Sequence, residues 1–218
     1  MAALQAVNKS VNNGRDPLVR RGIRLNYLTI GYNTVEAIVS LAAGIVAGSV
    51  ALVSFGVDSA IEVTSAGAAQ IRLRADSDPS RRETSERWTH RLIGAAFLLL
   101  AVYVLADAAR SLLLREPPES SKVGIVLLAL SVVVMPVLAG AKRKVAVGLG
   151  SGTLAADAAQ TSLCAYLSVI ALAGVGLNAL LGWWWADPVA ALAMLPIIVK
   201  EGVDGVRGRS SCTDGCKS

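Results

Sequence analysis

Apolar stretches about 20 residues long alternate with short polar links along this chain. Six such stretches stand out, at about 24–44, 49–71, 92–114, 123–141, 148–176 and 181–199, each long enough for a helix to cross the hydrocarbon core of a bilayer. The link "RLRADSDPSRRETSERWTHR" after the second stretch is charged throughout and reads as a soluble loop or short amphipathic helix. "REPPESSK" after the third holds two prolines, which stop a helix. "LLGWWWADP" opens the sixth, and its three tryptophans suit a membrane–water boundary. The glycines of "GLGSG" at the start of the long fifth stretch allow a hinge there. The pattern predicts an all-α membrane protein of six transmembrane helices.

Composition agrees with the pattern. Hydrophobic residues make up 54% of the 218 residues and charged residues only 17%, against about a quarter charged in a soluble domain. Charge placement then orients the helices. The N-terminal segment holds five basic residues, the link after the second stretch six, the "KRK" at 142–144 three and the C-terminal side four, together 18 of 21. Only Arg110, Arg115 and Lys122 fall to the other side. Basic loops face the cytoplasm, so both termini are expected there. The N-terminal segment lacks the short apolar core and small-residue cleavage site of a secretory signal. No basic patch is interleaved with aromatics, so no nucleic-acid partner is expected.

Within this apolar background, the acids are the exceptions. Asp58 and Glu62 lie four apart in "FGVDSAIEV", about 40° apart around a helix, so both point the same way. An acid near mid-bilayer costs about 2.5–3.5 kcal/mol on insertion scales and normally faces a bundle interior. On the fifth stretch Asp157, Gln160, Thr161 and Cys164 share one face, and counting from the outer end sets Cys164 level with Asp58 and Gln160 level with Glu62. The first stretch adds Asn33 and Glu36, the latter near the depth of Asp58.

Asp58, Glu62, Gln160 and Cys164 thus make a candidate four-ligand metal set, and a thiolate in such a set favours Zn²⁺ or a similarly soft ion over Mg²⁺ or Ca²⁺. Glu36, Asp157 and Asn33 are candidates for a supporting or proton-relay role. Each has a plainer reading. The acid pair could be protonated and structural, Cys164 a small core residue, and Gln160 an interhelical hydrogen-bond donor. Asp107 and Arg110, three apart on the third stretch, read as a structural ion pair. His90, the single histidine, is expected in a loop. Cys212 and Cys216 form a C-x3-C in the tail "SSCTDGCKS", which either captures cytosolic metal or serves no binding role. Three cysteines so placed are no disulfide framework.

Several of these segments resemble those of the cation diffusion facilitators, the cation efflux transporters. "GSVALVSFGVDSAIE" is similar to that family's second span in Gly48, Ser49, Ala51, Leu52 and the acidic pair Asp58 and Glu62. "TLAADAAQTSLC" resembles its fifth span, where Ala-Asp is followed three residues on by His and seven on by Asp; here the positions are Ala156, Asp157, Gln160 and Cys164. "WADPVAALAM" resembles its Asp-Pro entry to the sixth span, at Asp187 and Pro188. The resemblance covers about residues 22–200 and implies a homodimeric exporter of divalent metal, commonly Zn²⁺, working by alternating access in exchange for protons.

Two departures bear on that reading. Gln160 and Cys164 replace the family's His and Asp, so zinc preference does not carry over by residue. Only about 20 residues follow the sixth stretch, where the family usually has a cytosolic domain. The expectation is therefore an atypical member: a cytosolic segment at 1–21, a six-helix transport domain at 22–202 and a short tail at 203–218. Such a protein is a transporter rather than an enzyme. It needs no prosthetic group, works in the cell inner membrane, and has divalent cations, protons and the bilayer as partners. A membrane metal-binding or scaffold protein without turnover is the alternative. An intramembrane hydrolase would need a nucleophile–base pair or an H-E-x-x-H pattern that a single interfacial histidine does not supply.

Overall fold

The computed structural model describes residues 2–74 and 79–207, and side chains at 17–67, 70, 91–151 and 154–207. Six helices follow in order: α1 (Ala2–Ala47), α2 (Val50–Arg74), α3 (Pro79–Leu114), α4 (Lys122–Leu149), α5 (Gly152–Leu181) and α6 (Ala186–Val206). No strand occurs among the described residues. Tight turns separate most of the helices, so neighbours run antiparallel. One end of the bundle gathers the basic residues; the other holds the turns at 48–49, 115–121 and 182–185.

The bundle is inverted relative to a water-soluble protein. Val46, Leu113 and Leu180 are more than 80% exposed, whereas Asn26, Thr29, Asn33 and Ser40 of α1 are completely buried. Polar side chains turned inward and apolar ones outward are the arrangement that lipid selects. Five of the helices are long and apolar enough to cross a membrane. In α6, Asp187 lies near one end and Lys200, Glu201 and Asp204 near the other, leaving the uncharged stretch 188–199 between them. The chain is a multi-pass integral membrane protein.

Helices α1, α2, α4 and α5 close a ring, each touching two others, while α3 and α6 pair beside α2 and α5. Glycine sets the second pairing: a Cβ on Gly94 would lie 2.4 Å from the backbone nitrogen of Val206 and 2.7 Å from the carbonyl oxygen of Gly202. Backbones that approach so closely admit no side chain. Phe55 and Leu52 of α2, Leu128 and Met135 of α4, Leu167 of α5 and Met194 of α6 fill the apolar core.

Several sequence expectations change. The charged link after the second stretch is helical up to Arg74 and again from Pro79, so His90 lies on α3 rather than in a loop. The "KRK" at 142–144 is not a loop either. α4 continues through it to Leu149, and the chain turns at the left-handed Gly150 before Ser151 caps α5. The glycine-rich "GLGSG" is thus the α4–α5 turn and not a hinge within one helix. α5 runs on to Leu181, and the tryptophans occupy the turn before α6, with Trp183 and Trp185 stacked at 5.2 Å. Asp107 and Arg110 do not pair with each other. Asp107 accepts from the Tyr103 hydroxyl at 3.0 Å, and Arg110 meets Glu116 at 3.4 Å.

Candidate cation site

The inward faces of the four ring helices carry nearly all the buried polar groups, and their spacing explains why. On α1 the buried positions are Asn26, Thr29, Asn33, Glu36 and Ser40; on α5 they are Asp157, Thr161, Cys164 and Ser168. Steps of three and four residues keep a helix face pointed one way. α2 adds Ser54, Asp58, Ser59 and Glu62, and α4 adds Ser131 and Lys142. Together these side chains form a polar column through the ring.

Its first part is centred on Glu36. Oε2 of Glu36 accepts from the Ser59 hydroxyl at 2.9 Å, and Oε1 accepts from the Ser131 hydroxyl. The Tyr32 hydroxyl meets Ser131 Oγ at 3.0 Å. The Cys164 thiol points at Glu36 Oε2 from 4.0 Å and also lies against the carboxyls of Asp58 and Glu62. Cys164 is a free, buried thiol. It therefore stands where α1, α2 and α5 meet.

Towards the basic end the column continues through Glu62. The Thr161 hydroxyl donates to Glu62 Oε1 at 2.6 Å. The Lys142 ammonium in turn donates to Thr161 Oγ1 at 2.9 Å and pairs with Asp157 Oδ2 at 2.8 Å. Both members of that ion pair are at most 1% exposed.

Cys164 lies among the acids, and at the depth of Glu62 it is Thr161 rather than the adjacent Gln160 that turns towards the carboxyl. Thr161, fully buried, faces Glu62; Gln160 is half-buried and makes no hydrogen bond among the described residues. Asn33 is completely buried with both amide atoms unpartnered. Cys212 and Cys216 lie outside the described residues. Sequence reasoning missed Lys142, Ser59, Ser131 and Tyr32 as members of the column, and set Thr161 on the polar face of the fifth stretch without giving it a role. For Lys142 a signal existed: it falls on the buried stripe 124, 128, 131, 135, 139, 142 of α4, while Arg143 and Lys144 point outward.

The column is short of positive charge. It holds four carboxyl groups (Glu36, Asp58, Glu62 and Asp157) and one ammonium. Asp58 Oδ2 and Glu62 Oε2 are buried with no hydrogen-bond partner. A buried carboxylate left without a partner costs several kcal/mol, so the cluster calls for bound protons or a cation. Among the described residues no three His, Cys, Asp or Glu side chains stand as a ready-made metal cage. The unpartnered oxygens and the adjacent thiol are nonetheless donors of the type that a borderline-soft divalent ion accepts.

The far end of α2 is fixed by α6. Asp187 accepts from the Ser49 hydroxyl at 2.5 Å and from the Ala51 amide at 3.4 Å, while Ser49 Oγ accepts from the Leu52 amide at 3.1 Å. These bonds satisfy free amides at the start of α2, which fixes the depth of Asp58 about two turns and Glu62 about three turns further on.

No curated protein matches the chain. The family model described as the cation efflux transmembrane domain matches residues 27–208, taking in all six helices, the acidic pair on α2 and the facing stripe on α5. The chain belongs to the cation efflux family and is a cation transporter.

Proposed function

We propose that this transporter carries a divalent transition-metal cation, Zn²⁺ or a similarly soft ion such as Co²⁺ or Cd²⁺, out of the cytoplasm in exchange for protons. One observation carries the reading: a buried excess of carboxyl groups, among whose oxygens Asp58 Oδ2 and Glu62 Oε2 have no partner, beside a buried free thiol. Asp58, Glu62 and Cys164 hold the ion, and Gln160 completes the set by a change of rotamer. Glu36, held by Ser59 and Ser131, and Asp157 accept or pass protons, and Asn33 offers its amide to the same layer. Carboxylates and thiolates lose protons to bind metal, so metal and protons compete for one set of groups. That competition is the physical basis of exchange. Alternating opening of the ring towards each side, in a homodimer of the inner membrane with both termini cytoplasmic, completes the proposed mechanism. The cysteines at 212 and 216 would collect metal on the cytoplasmic side.

The test is uptake into proteoliposomes of Zn²⁺, Co²⁺, Cd²⁺, Mn²⁺ and Fe²⁺ in parallel under an imposed pH gradient. Gradient-dependent uptake of one or two soft ions is expected. Binding without flux of any ion would replace transport with a metal-holding scaffold.

A further inference from the structure

Lys142 is the one buried cation of the column, and its surroundings show more than charge balance. A threonine hydroxyl has one proton to give and two lone pairs to offer. The Lys142 ammonium occupies a lone pair of Thr161 at 2.9 Å, and the single proton of that hydroxyl is in reach of two acceptors, Glu62 Oε1 at 2.6 Å and the Asp157 carbonyl at 3.1 Å. The shorter bond binds Glu62 by one oxygen and leaves the other, Oε2, unpartnered. Lys142 is thus one hydroxyl removed from the carboxyl pair, on its basic-end side. Asp157 holds the ammonium in place at 2.8 Å.

We propose that Lys142 is a positioning residue of the cation site: through Thr161 it fixes which oxygen of Glu62 faces the ion, and it sets a positive charge beside the site that keeps binding weak enough for release. The proposal rests on the reading that Glu62 belongs to that site. A fixed charge a few ångströms from a divalent ion opposes its binding in a medium of low dielectric constant. Transport needs such a limit, since an ion held too tightly does not leave.

Lys142→Met removes the ammonium but strands Asp157, and a buried charge without its partner endangers the fold. Lys142→Met with Asp157→Asn removes both members, a change that buried ion pairs commonly tolerate. Lys142→Arg keeps the charge. Zn²⁺ dissociation constants of the purified full chain and KM and kcat in proteoliposomes would be measured for all three. The expected result for Lys142→Met is binding about tenfold tighter, the direction that loss of a nearby like charge dictates, with KM and kcat falling together; the double variant should tighten binding by less, because Asp157→Asn removes a negative charge lying behind the ammonium. Arginine should restore binding to within about threefold, because it keeps the positive charge even though its planar fork fits the site differently. Unchanged or weaker binding in folded Lys142→Met, or weaker binding in the double variant, overturns the proposal, as does Lys142→Arg behaving like Lys142→Met. A purely structural ion pair would lower the melting temperature and leave the dissociation constant alone. If the wild-type chain itself binds no Zn²⁺, Co²⁺ or Cd²⁺, the cation-site reading falls, and this proposal with it.

Discussion

The ring of α1, α2, α4 and α5 and the α3–α6 pair share the same lipid but differ in the chemistry of their contacts. The ring adds to its apolar core a column of buried polar contacts: Glu36 with Ser59 and Ser131, Glu62 with Thr161, Lys142 with Asp157. In the pair, Gly94 lies against the backbone of α6 around Gly202 and Val206, and Leu98 would meet any side chain added at Gly202. Lipid offers no hydrophobic force to press helices together, so close packing and hydrogen bonds must do it. The pair relies on packing and gains a rigid contact. The ring packs closely too, as at Gly44 and Gly56 where α1 meets α2, but it also carries hydrogen bonds that leave Asp58 Oδ2 and Glu62 Oε2 without partners, and these are the acids to which the proposed function gives the cation. In the proposed function the ion's groups thus lie apart from the α3–α6 contact.

That separation can be broken most severely in the ring. Asp58→Ala or Glu62→Ala should cut transport at least about 100-fold, since losing a ligand outright costs more than the roughly 10–100-fold of losing a group that only supports one. Size-exclusion behaviour and helical content should be unchanged, because each change also removes a buried charge. Next comes the pair: Gly94→Val should destabilise by about 1–3 kcal/mol, as overpacking does. Thermal unfolding in detergent checks this, and flux per folded molecule should stay at the wild-type level. A smaller effect is expected from Cys164→Ser, which exchanges a soft donor for a hard one. The ratio of Cd²⁺ to Mn²⁺ uptake should fall about tenfold, following ligand softness. Smallest of all, Arg110→Gln removes an exposed ion pair with Glu116, and its effect on stability should stay within about 0.5 kcal/mol.

Much of the ring was readable before any coordinates. Six apolar runs located the helices, and the spacing of Asp58 with Glu62 and of Asp157 with Cys164 turned both sets inward. Depth counting even aligned Cys164 with the acids of α2. It could not separate Gln160 from Thr161, which are adjacent in sequence and equal in depth to within one residue. Only the rotation of α5 decides that, and it follows the whole stripe Asp157, Thr161, Cys164, Ser168 rather than any single position.

Lys142 was lost for a different reason. Three successive basic residues look like a cytoplasmic loop, and two of them are indeed exposed. The third lies on the buried stripe of α4, whose last turns pack Val145 and Ala146 against Leu154. Its partner is Asp157 on the next helix, and no local pattern announces a contact of that kind. The Asp107–Arg110 pair failed likewise. Spacing on one helix permits contact, but Tyr103 and Glu116 were the better-placed partners.

The central claim is that the unpartnered acids of the column receive the transported cation. The most direct measurement is equilibrium binding of Zn²⁺, Co²⁺ and Cd²⁺ to the purified chain, beside a variant carrying Asp58→Asn and Glu62→Gln. These changes keep shape and remove only charge. Saturable binding of one of these ions by the wild type, lost in the variant, is the predicted result. Equal binding by both would contradict the account and move the cation away from α2.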